Sequence, residues 1–300
     1  MINSKPTIMI ADDDHGVRSL LEQLFTREGY TVVLAVDGLD AYEKIPLVNP
    51  DLLISDIQMP NMDGFALFKK VESHFPYIKR VLITGLDIDE NIAIIQEHNI
   101  GNILPKGAEF NLNEVRNYIN NLLSGDIFGL DKYFAPDTIK HQTICTQDNA
   151  QSASMAIIKD YGKSDSIYLE MALDELISNA IFHGVLHVTN TPREEWPVNY
   201  CLNGNEGVEI SWACDHEKFG VSVTDPKGNL KKRDVLRWLN IKLGLAEDEQ
   251  VHGKGFLLVR RLLDRLIINI RTNKKTECII FKYFTSKSTA HNKPLLIHEI

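Results

Sequence analysis

Ile8-Met-Ile-Ala-Asp-Asp-Asp14 decides how the first half of this chain is read. Thr7–Ala11 is a short apolar run that reads as a strand, and it ends in Asp12-Asp13. Working outward, Thr31–Ala35, Leu52–Ser55, Arg80–Thr84 and Asn102–Leu104 repeat that β-rich pattern. Helical patterns start at His15, Gly38, Gly64, Asp89 and Leu112. Five β-then-α units imply an α/β parallel sheet with helices on both faces. The functional crevice of such a sheet lies beyond the carboxyl ends of its strands.

The residues at those ends carry chemistry. Asp12 and Asp13 follow the first strand, Asp56 the third, Thr84 the fourth and Lys106 the fifth. Three carboxylates converging in one crevice repel unless a hard cation binds them, and Mg²⁺ suits oxygen ligands. A carboxylate beside a metal can act as nucleophile toward a phosphoryl group, with Thr84 and Lys106 contacting the phosphoryl oxygens. An Asp after one strand is commonly just a helix N-cap. Coincidence across four strand ends argues against that plainer account.

Ile8–Asp14, the stretch Asp56-Ile-Gln-Met-Pro-Asn-Met-Asp-Gly64, Thr84 and Lys106 together resemble a two-component receiver domain over residues 5–123. The resemblance implies a flavodoxin-like, doubly wound, five-stranded fold. It further implies Asp56 as phosphoacceptor from a cognate histidine kinase, Asp12 and Asp13 holding Mg²⁺, and Thr84 and Lys106 reading the phosphorylated state. Two positions depart from the family. Ile103 stands where an aromatic switch residue is usual, and Pro105 precedes Lys106 while Gly107 follows it. The phosphorylation chemistry is whole; these departures imply an unusual way of passing the signal on.

The 300 residues are enough for two domains. Residues 1–124 carry 18 acidic against 10 basic side chains, and residues 125–300 carry 23 against 22. That shift supports a boundary near 125. A net charge of −9 argues against general nucleic-acid binding. No apolar run approaches a membrane span or a signal peptide. Four scattered cysteines suit free thiols in a cytoplasmic protein. Residues 1–124 are thus expected as one domain, 125–137 as an apolar connector packing through Ile127, Phe128, Leu130, Tyr133 and Phe134, 138–285 as a second domain, and 286–300 as a loosely ordered tail.

In the second half, Thr138–Thr146 reads as a strand, and Asp148–Tyr161 and Ser164–Phe182 as helices with Gly184 as a stop. Val208–Ala213 and Phe219–Thr224 read as a hairpin. Lys231–Asn240 is a charged helix, 243–252 a polar mobile stretch and Leu257–Leu266 an apolar helix. Ile267–Arg271 and Glu277–Phe284 finish as strands. The sum is a two-layer α+β sandwich. Glu175 and Asn179 are four apart and share one helical face; taken alone they read as a solvated pair. Gly253-Lys254-Gly255 before a helix is a weak phosphate-site signal. His183 reads as a helix-end cap, and Trp212 and Trp238 as packing residues.

Taken in order, Glu175-x-x-x-Asn179, Asp225 and Gly253-Lys-Gly255 resemble the GHKL (Bergerat-type) ATP-binding fold over about 138–284. Asn179-Ala-Ile-Phe-His183-Gly184 is most similar to the anti-sigma serine kinases. The resemblance implies that Asn179 coordinates the Mg²⁺ of ATP and that Glu175 is the general base toward a serine hydroxyl. It places Asp225 on the adenine amino group, Gly253, Lys254 and Gly255 along the phosphates, and 229–252 as a lid. The family turn Asp-x-Gly-x-Gly is altered: Asp225-Pro-Lys-Gly228 brings its first glycine one position late, and Lys227 stands where glycine is usual.

The expectation is a response regulator whose Asp56 controls a protein-serine kinase acting on an anti-sigma-antagonist-like partner or a sigma factor. The competing expectation is a partner-switching module without catalysis, motivated by the altered turn. A hybrid histidine kinase lacks room for its helical hairpin in 125–165, and no basic recognition helix marks a DNA-binding regulator. The resemblances admit a homodimer that no residue pattern shows.

Overall fold

In a computed structural model of the chain, β1 (Thr7–Ala11) pairs in parallel with β2 (Thr31–Ala35) and with β3 (Leu52–Asp56). Ile8 stands opposite Val32 on one side and Leu52 on the other. The structure describes residues 5–106, 112–188, 191, 193–197, 199–240, 254–284 and 292–300. They fall into two units, one of Met1–Asn91, Asn102–Ile127 and His291–Pro294, the other of Ile92–Gly101, Phe128–Ala290 and Leu295–Ile300.

The first unit continues with β4 (Lys79–Thr84) and β5 (Asn102–Pro105), giving the parallel order β2-β1-β3-β4-β5. Ile8, Met9 and Ile10 are all fully buried, as expected of a strand covered on both faces. The crossovers are α1 (His15–Arg27), α2 (Gly38–Val48) and α3 (Gly64–His74), with α5 (Leu112–Ser124) after β5. Asp14, Asp37 and Asp63 cap the first three by accepting backbone N–H bonds. Helix α4 (Ile92–Glu97) falls in the second unit. It begins later than the expected Asp89, because the Asp87 carboxylate accepts the Glu90 N–H at 2.9 Å and closes a turn there.

The second unit is a mixed sheet in the order β11-β9-β10-β8-β7-β6. Its strands are β6 (Lys140–Ile144), β7 (Val208–Cys214), β8 (Lys218–Asp225), β9 (Arg265–Arg271), β10 (Lys275–Tyr283) and β11 (Leu295–Glu299). Helices α6 (Gln147–Tyr161), α7 (Ser166–Ser178) and α9 (Lys254–Leu262) form a layer in which α7 touches both others, and α8 (Lys232–Leu239) packs on α9. The Tyr161 ring meets Phe219 at 5.3 Å, so the face of β8 carrying Phe219, Val221, Val223 and Asp225 looks toward the helices. On the opposite face, Phe134 and Tyr133 of the connector meet Phe281 at 6.1 and 5.0 Å. A Cβ on Gly220 would lie 2.5 Å from the Phe134 ring, so glycine lets this strap seat.

Three expectations are corrected here. The C-terminal segment is not loose throughout: β11 pairs in parallel with β9, Leu296 opposite Ile267, and buries Leu295, Leu296 and Ile297. The last apolar helix ends at Leu262, not Leu266, because Leu266 enters β9 and pairs with Ile280. Gly184 does not stop its helix: α7 passes at Asn179 into a π-helical turn, Asn179–Val185, wide enough to carry the chain past it.

Candidate functional site

In the first unit, β1 and β3 deliver Asp12 and Asp56 to the same edge of the sheet. Asp12 is 2 % exposed, Asp56 7 % and Thr84 1 %. Lys106 Nζ bridges the two acids, 2.7 Å from Asp12 Oδ2 and 2.9 Å from Asp56 Oδ2. Asp56 Oδ1 accepts the Ile57 N–H at 2.7 Å, and Asp12 Oδ1 accepts the Asp14 N–H at 3.0 Å. Thr84 is tied to Lys106 through the backbone, the Lys106 N–H donating to the Thr84 carbonyl at 2.6 Å. A Cβ on Gly64 would fall 2.1 Å from the Asp56 carbonyl oxygen, so this glycine lets α3 start directly beneath the acid.

Burial pushes the Asp56 carboxyl above the ordinary carboxylate range, against the pull of Lys106. Burial also disfavours the Lys106 ammonium, but hydrogen bonds to Asp12 and Asp56 outweigh it and its pKa is raised. Oxygens of Asp12, Asp13 and Asp56 lie within 4.8 Å of one another, with Asp13 exposed. One ammonium cannot neutralise three carboxylates, and an all-oxygen donor set with an open, exposed side suits a hard divalent cation that keeps water ligands. Asp14 is not in that set; its Oδ1 caps α1 at Gly16 N (2.6 Å) and Val17 N (3.2 Å). Ile103, at the expected switch position, is fully buried opposite Leu82 and is a core residue.

In the second unit, Glu175 of α7 lies beside Gly255 of α9 in the helical layer, with Asn179 at the C-cap of α7. Asp225 at the end of β8 shares one cavity with Asn179, Gly228 bonds to Asp225, and Lys254 opens α9 beside Gly255. Asn179 Nδ2 donates to Glu175 Oε1 at 3.0 Å. Gly255 lies so close that a Cβ there would sit 1.7 Å from that same oxygen. Gly253 and the expected polar stretch 243–252 lie outside the described residues, as does Gly107. A cavity of about 410 Å³ opens beside Asn179, with Asp225 among its lining, Leu176, Ala180 and Val223 as apolar walls, and Trp238 and Phe256 at one side. Those two rings are near-parallel at 5.9 Å. Trp238 is thus a wall of the cavity as well as a packing residue.

Asp225 is 6 % exposed, and its Oδ1 accepts from the Lys227 N–H (2.9 Å) and the Gly228 N–H (3.0 Å). Burial pushes its carboxyl up, against those two bonds, which pull it down. Gly228 has φ +67° and would bring a Cβ 2.3 Å from the Arg271 carbonyl, so the late glycine is the one this turn requires. Lys227 points away and pairs with Glu206. Gly184 serves the cavity: a Cβ on it would lie 2.9 Å from Asp225 Cβ and Cγ. His183 Nδ1 pairs with the Val188 carbonyl at 2.8 Å, a helix-end contact. Residues that sequence reading missed are Thr276 and Cys278 in the cavity lining and Arg193, which meets Glu175 at 2.8 Å. A single arginine in a loop gives no pattern to find.

Among the described residues, no helix is long and apolar enough to cross a membrane. The family model for the response regulator receiver domain matches residues 8–120. Sporulation initiation phosphotransferase F of Bacillus subtilis is 31 % identical over 124 residues, which cover 41 % of this chain and 96 % of that protein. The Regulator of RpoS of Escherichia coli is 33 % identical over 112 residues, 37 % of this chain and 33 % of its own length. The DNA-binding transcriptional regulator NtrC of Escherichia coli is 32 % identical over 91 residues, 30 % of this chain but 19 % of its own length. Among solved structures, the receiver domain of the Francisella response regulator 1452 is 26 % identical with a TM-score of 0.37, covering 40 % of this chain and 98 % of that one. Receiver domains of this kind bind Mg²⁺ at their acidic site and are phosphorylated by histidine kinases. Through residues 8–120, the chain belongs to the two-component response regulator receiver family.

Proposed function

We propose that Asp56 accepts a phosphoryl group from a histidine kinase and thereby controls an ATP-dependent protein-serine kinase in the second unit. The observation that carries the first step is Lys106 bridging Asp12 and Asp56. A carboxylate oxygen of Asp56 forms the bond to phosphorus as the bond to the donor's leaving atom breaks. Asp12 and Asp13 would hold Mg²⁺, which supplies positive charge to the phosphoryl oxygens. Lys106 exchanges its Asp56 contact for a phosphoryl oxygen, and the Thr84 hydroxyl, buried at the same edge, turns toward the new group. Thr84 leads by a short covalent path through residues 85–91 into α4, which falls in the second unit.

In that unit, Asn179 would hold the Mg²⁺ of ATP, Asp225 would accept the adenine amino group, and Glu175 would take the proton from the serine hydroxyl. Lys254 and Gly255 would lie along the phosphate chain. The cavity beside Asn179 and Asp225 supports this reading, since a buried acceptor among apolar and aromatic walls suits a nucleobase. The partner is an anti-sigma-antagonist-like domain or a sigma factor. The test incubates full-length protein with labelled MgATP and such a domain, with and without a low-molecular-weight acyl phosphate as donor for Asp56. Label on a serine of the partner, lost in Glu175→Ala and changed in Asp56→Asn, is the expected result. No label above background in any condition overturns it.

A non-catalytic partner-switching reading is favoured by one observation, the engagement of Lys227 with Glu206 where the family has glycine. It predicts partner capture that is indifferent to ATP and to Asn179→Ala. Capture lost in that variant removes it.

A further inference from the structure

Trp196 anchors the turn Arg193–Glu195 against the π-helical turn that follows α7. Its ring meets Phe182 at 4.5 Å and stands edge-on to His183 at 5.1 Å, and its Nε1 donates to the Thr191 carbonyl at 3.1 Å. The Arg193 guanidinium lies 5.7 Å from the same ring. From there it divides its donors: Nη1 to Glu175 Oε2 at 2.8 Å, Nη2 to Asp174 Oδ2 at 2.7 Å and to Ser178 Oγ at 3.3 Å. Glu175 Oε1 is held from the other side by Asn179 Nδ2 at 3.0 Å. Each carboxylate oxygen therefore has one fixed donor and keeps a further lone pair.

The Asp174 side chain is 72 % exposed, and a pair of that kind alone contributes little to stability. The Glu175 side chain is only 16 % exposed, and one Arg193 bond on Oε2 with the Asn179 bond on Oε1 fixes its carboxylate at both oxygens, which solvating water cannot do.

Resting on the reading of Glu175 as the base of an MgATP site, we propose that Arg193 is the positioning residue of that base. The acceptor O–H gives its proton to Glu175, the acceptor oxygen bonds to the γ-phosphorus, and the bond from that phosphorus to the β,γ-bridging oxygen breaks, its electron pair leaving with ADP. With water as acceptor the product is inorganic phosphate. Arg193 makes and breaks no covalent bond; it holds the carboxylate where the proton arrives.

The test uses the full chain and MgATP, with water as acceptor, and measures MgATP affinity by equilibrium dialysis beside kcat and KM for hydrolysis. Arg193→Ala lowers kcat by about 10- to 100-fold, the scale of a misplaced catalytic group, and leaves KM and affinity unchanged. Arg193→Lys, which keeps the charge and loses the fork, recovers part of the rate. Circular dichroism unchanged in both variants separates this from misfolding. Wild-type kcat in Arg193→Ala, or a change confined to KM, overturns the positioning role and leaves the nucleotide site standing. A wild-type protein that binds MgATP but turns it over with neither water nor the serine of an anti-sigma-antagonist-like domain as acceptor removes Glu175 as base and Arg193 with it. One that does not bind MgATP removes the site itself.

Discussion

Gly255→Ala tests the contact between α9 and Glu175 directly. The added Cβ would lie 1.7 Å from Glu175 Oε1, 2.2 Å from Cδ and 2.5 Å from Cγ, so the carboxylate must leave or the helix must shift. Overpacking of this kind costs about 1–3 kcal/mol. Alanine in place of glycine gains up to about 1 kcal/mol inside a helix, and less in a first turn. The net expectation is a loss of about 1–2 kcal/mol, or roughly 2–8 °C in Tm for a unit of this size. The cause is tested by a double-mutant cycle. In a Glu175→Ala background the three nearest atoms are gone, and Gly255→Ala becomes neutral or slightly stabilising, a coupling of about 1–3 kcal/mol. Thermal melts of the four proteins measure it. An equal loss in both backgrounds refutes the clash, and a raised Tm for Gly255→Ala alone refutes the close approach.

Asp56→Asn raises Tm at neutral pH in the absence of Mg²⁺. Burial holds the folded Asp56 carboxyl above its unfolded value of about 3.9, so its proton favours the folded state below that value and this support is lost as pH rises through the folded pKa. The advantage of the asparagine therefore shrinks toward about pH 4, and an advantage that does not vary with pH counts against the burial effect. Glu277 is 3 % exposed and accepts from Ser222 Oγ (2.7 Å), Asn269 Nδ2 (3.1 Å) and the Gly129 N–H of the connector (3.0 Å). Glu277→Ala leaves three donors without that acceptor and costs about 2–4 kcal/mol, with faster proteolysis near Gly129; an unchanged cleavage rate there denies it the role of latch. Ile297→Asp places a charge on a strand position 2 % exposed and costs about 3 kcal/mol or more. Hydrogen exchange at Ile267–Ile270 accelerates with it, and unaltered exchange would show β9 independent of β11.

The first unit was legible because its chemistry and its architecture coincide at strand ends. Asp12, Asp56, Thr84 and Lys106 each follow an apolar run, and an apolar run buried on both faces is hard to mistake. Only α4 slipped, where the Asp87 side chain outcompeted the helical pattern for the Glu90 N–H. In the second unit the shared face of Glu175 and Asn179 was readable from their spacing. The burial that makes the expected solvated pair a hydrogen-bonded, largely enclosed one did not show in it. Strands β7 and β8 were readable from alternation. Leu263–Leu266 was not, since a short apolar run fits helix and strand alike. Leu295–Ile297 was hidden by the polar residues before it, and its burial comes from a parallel partner distant in sequence. Lys227 looked like a defect because glycine was sought at a fixed position. The turn needs a positive φ at residue 228, and there the glycine stands.

Under the proposed roles, the two sites solve one electrostatic problem alike and differ in exposure. Each needs a carboxylate beside an incoming phosphoryl group, two anions that repel. Each has a cation already bonded to that carboxylate, Lys106 at Asp56 and Arg193 at Glu175. At Asp56 the cation can transfer its hydrogen bond to a phosphoryl oxygen while remaining on Asp12, so no charge is left bare during the exchange. Arg193 holds Glu175 and Asp174 at once, and the Glu175 carboxylate keeps a lone pair for its acceptor without leaving the guanidinium. Asp12 and Asp56 are buried, so ions in solution screen their pair with Lys106 little. Arg193 is 45 % exposed and Asp174 72 %, within reach of that screening. Salt thus separates the two devices: it weakens the hold of Arg193 on its acids while leaving the bridge at Asp56 nearly intact.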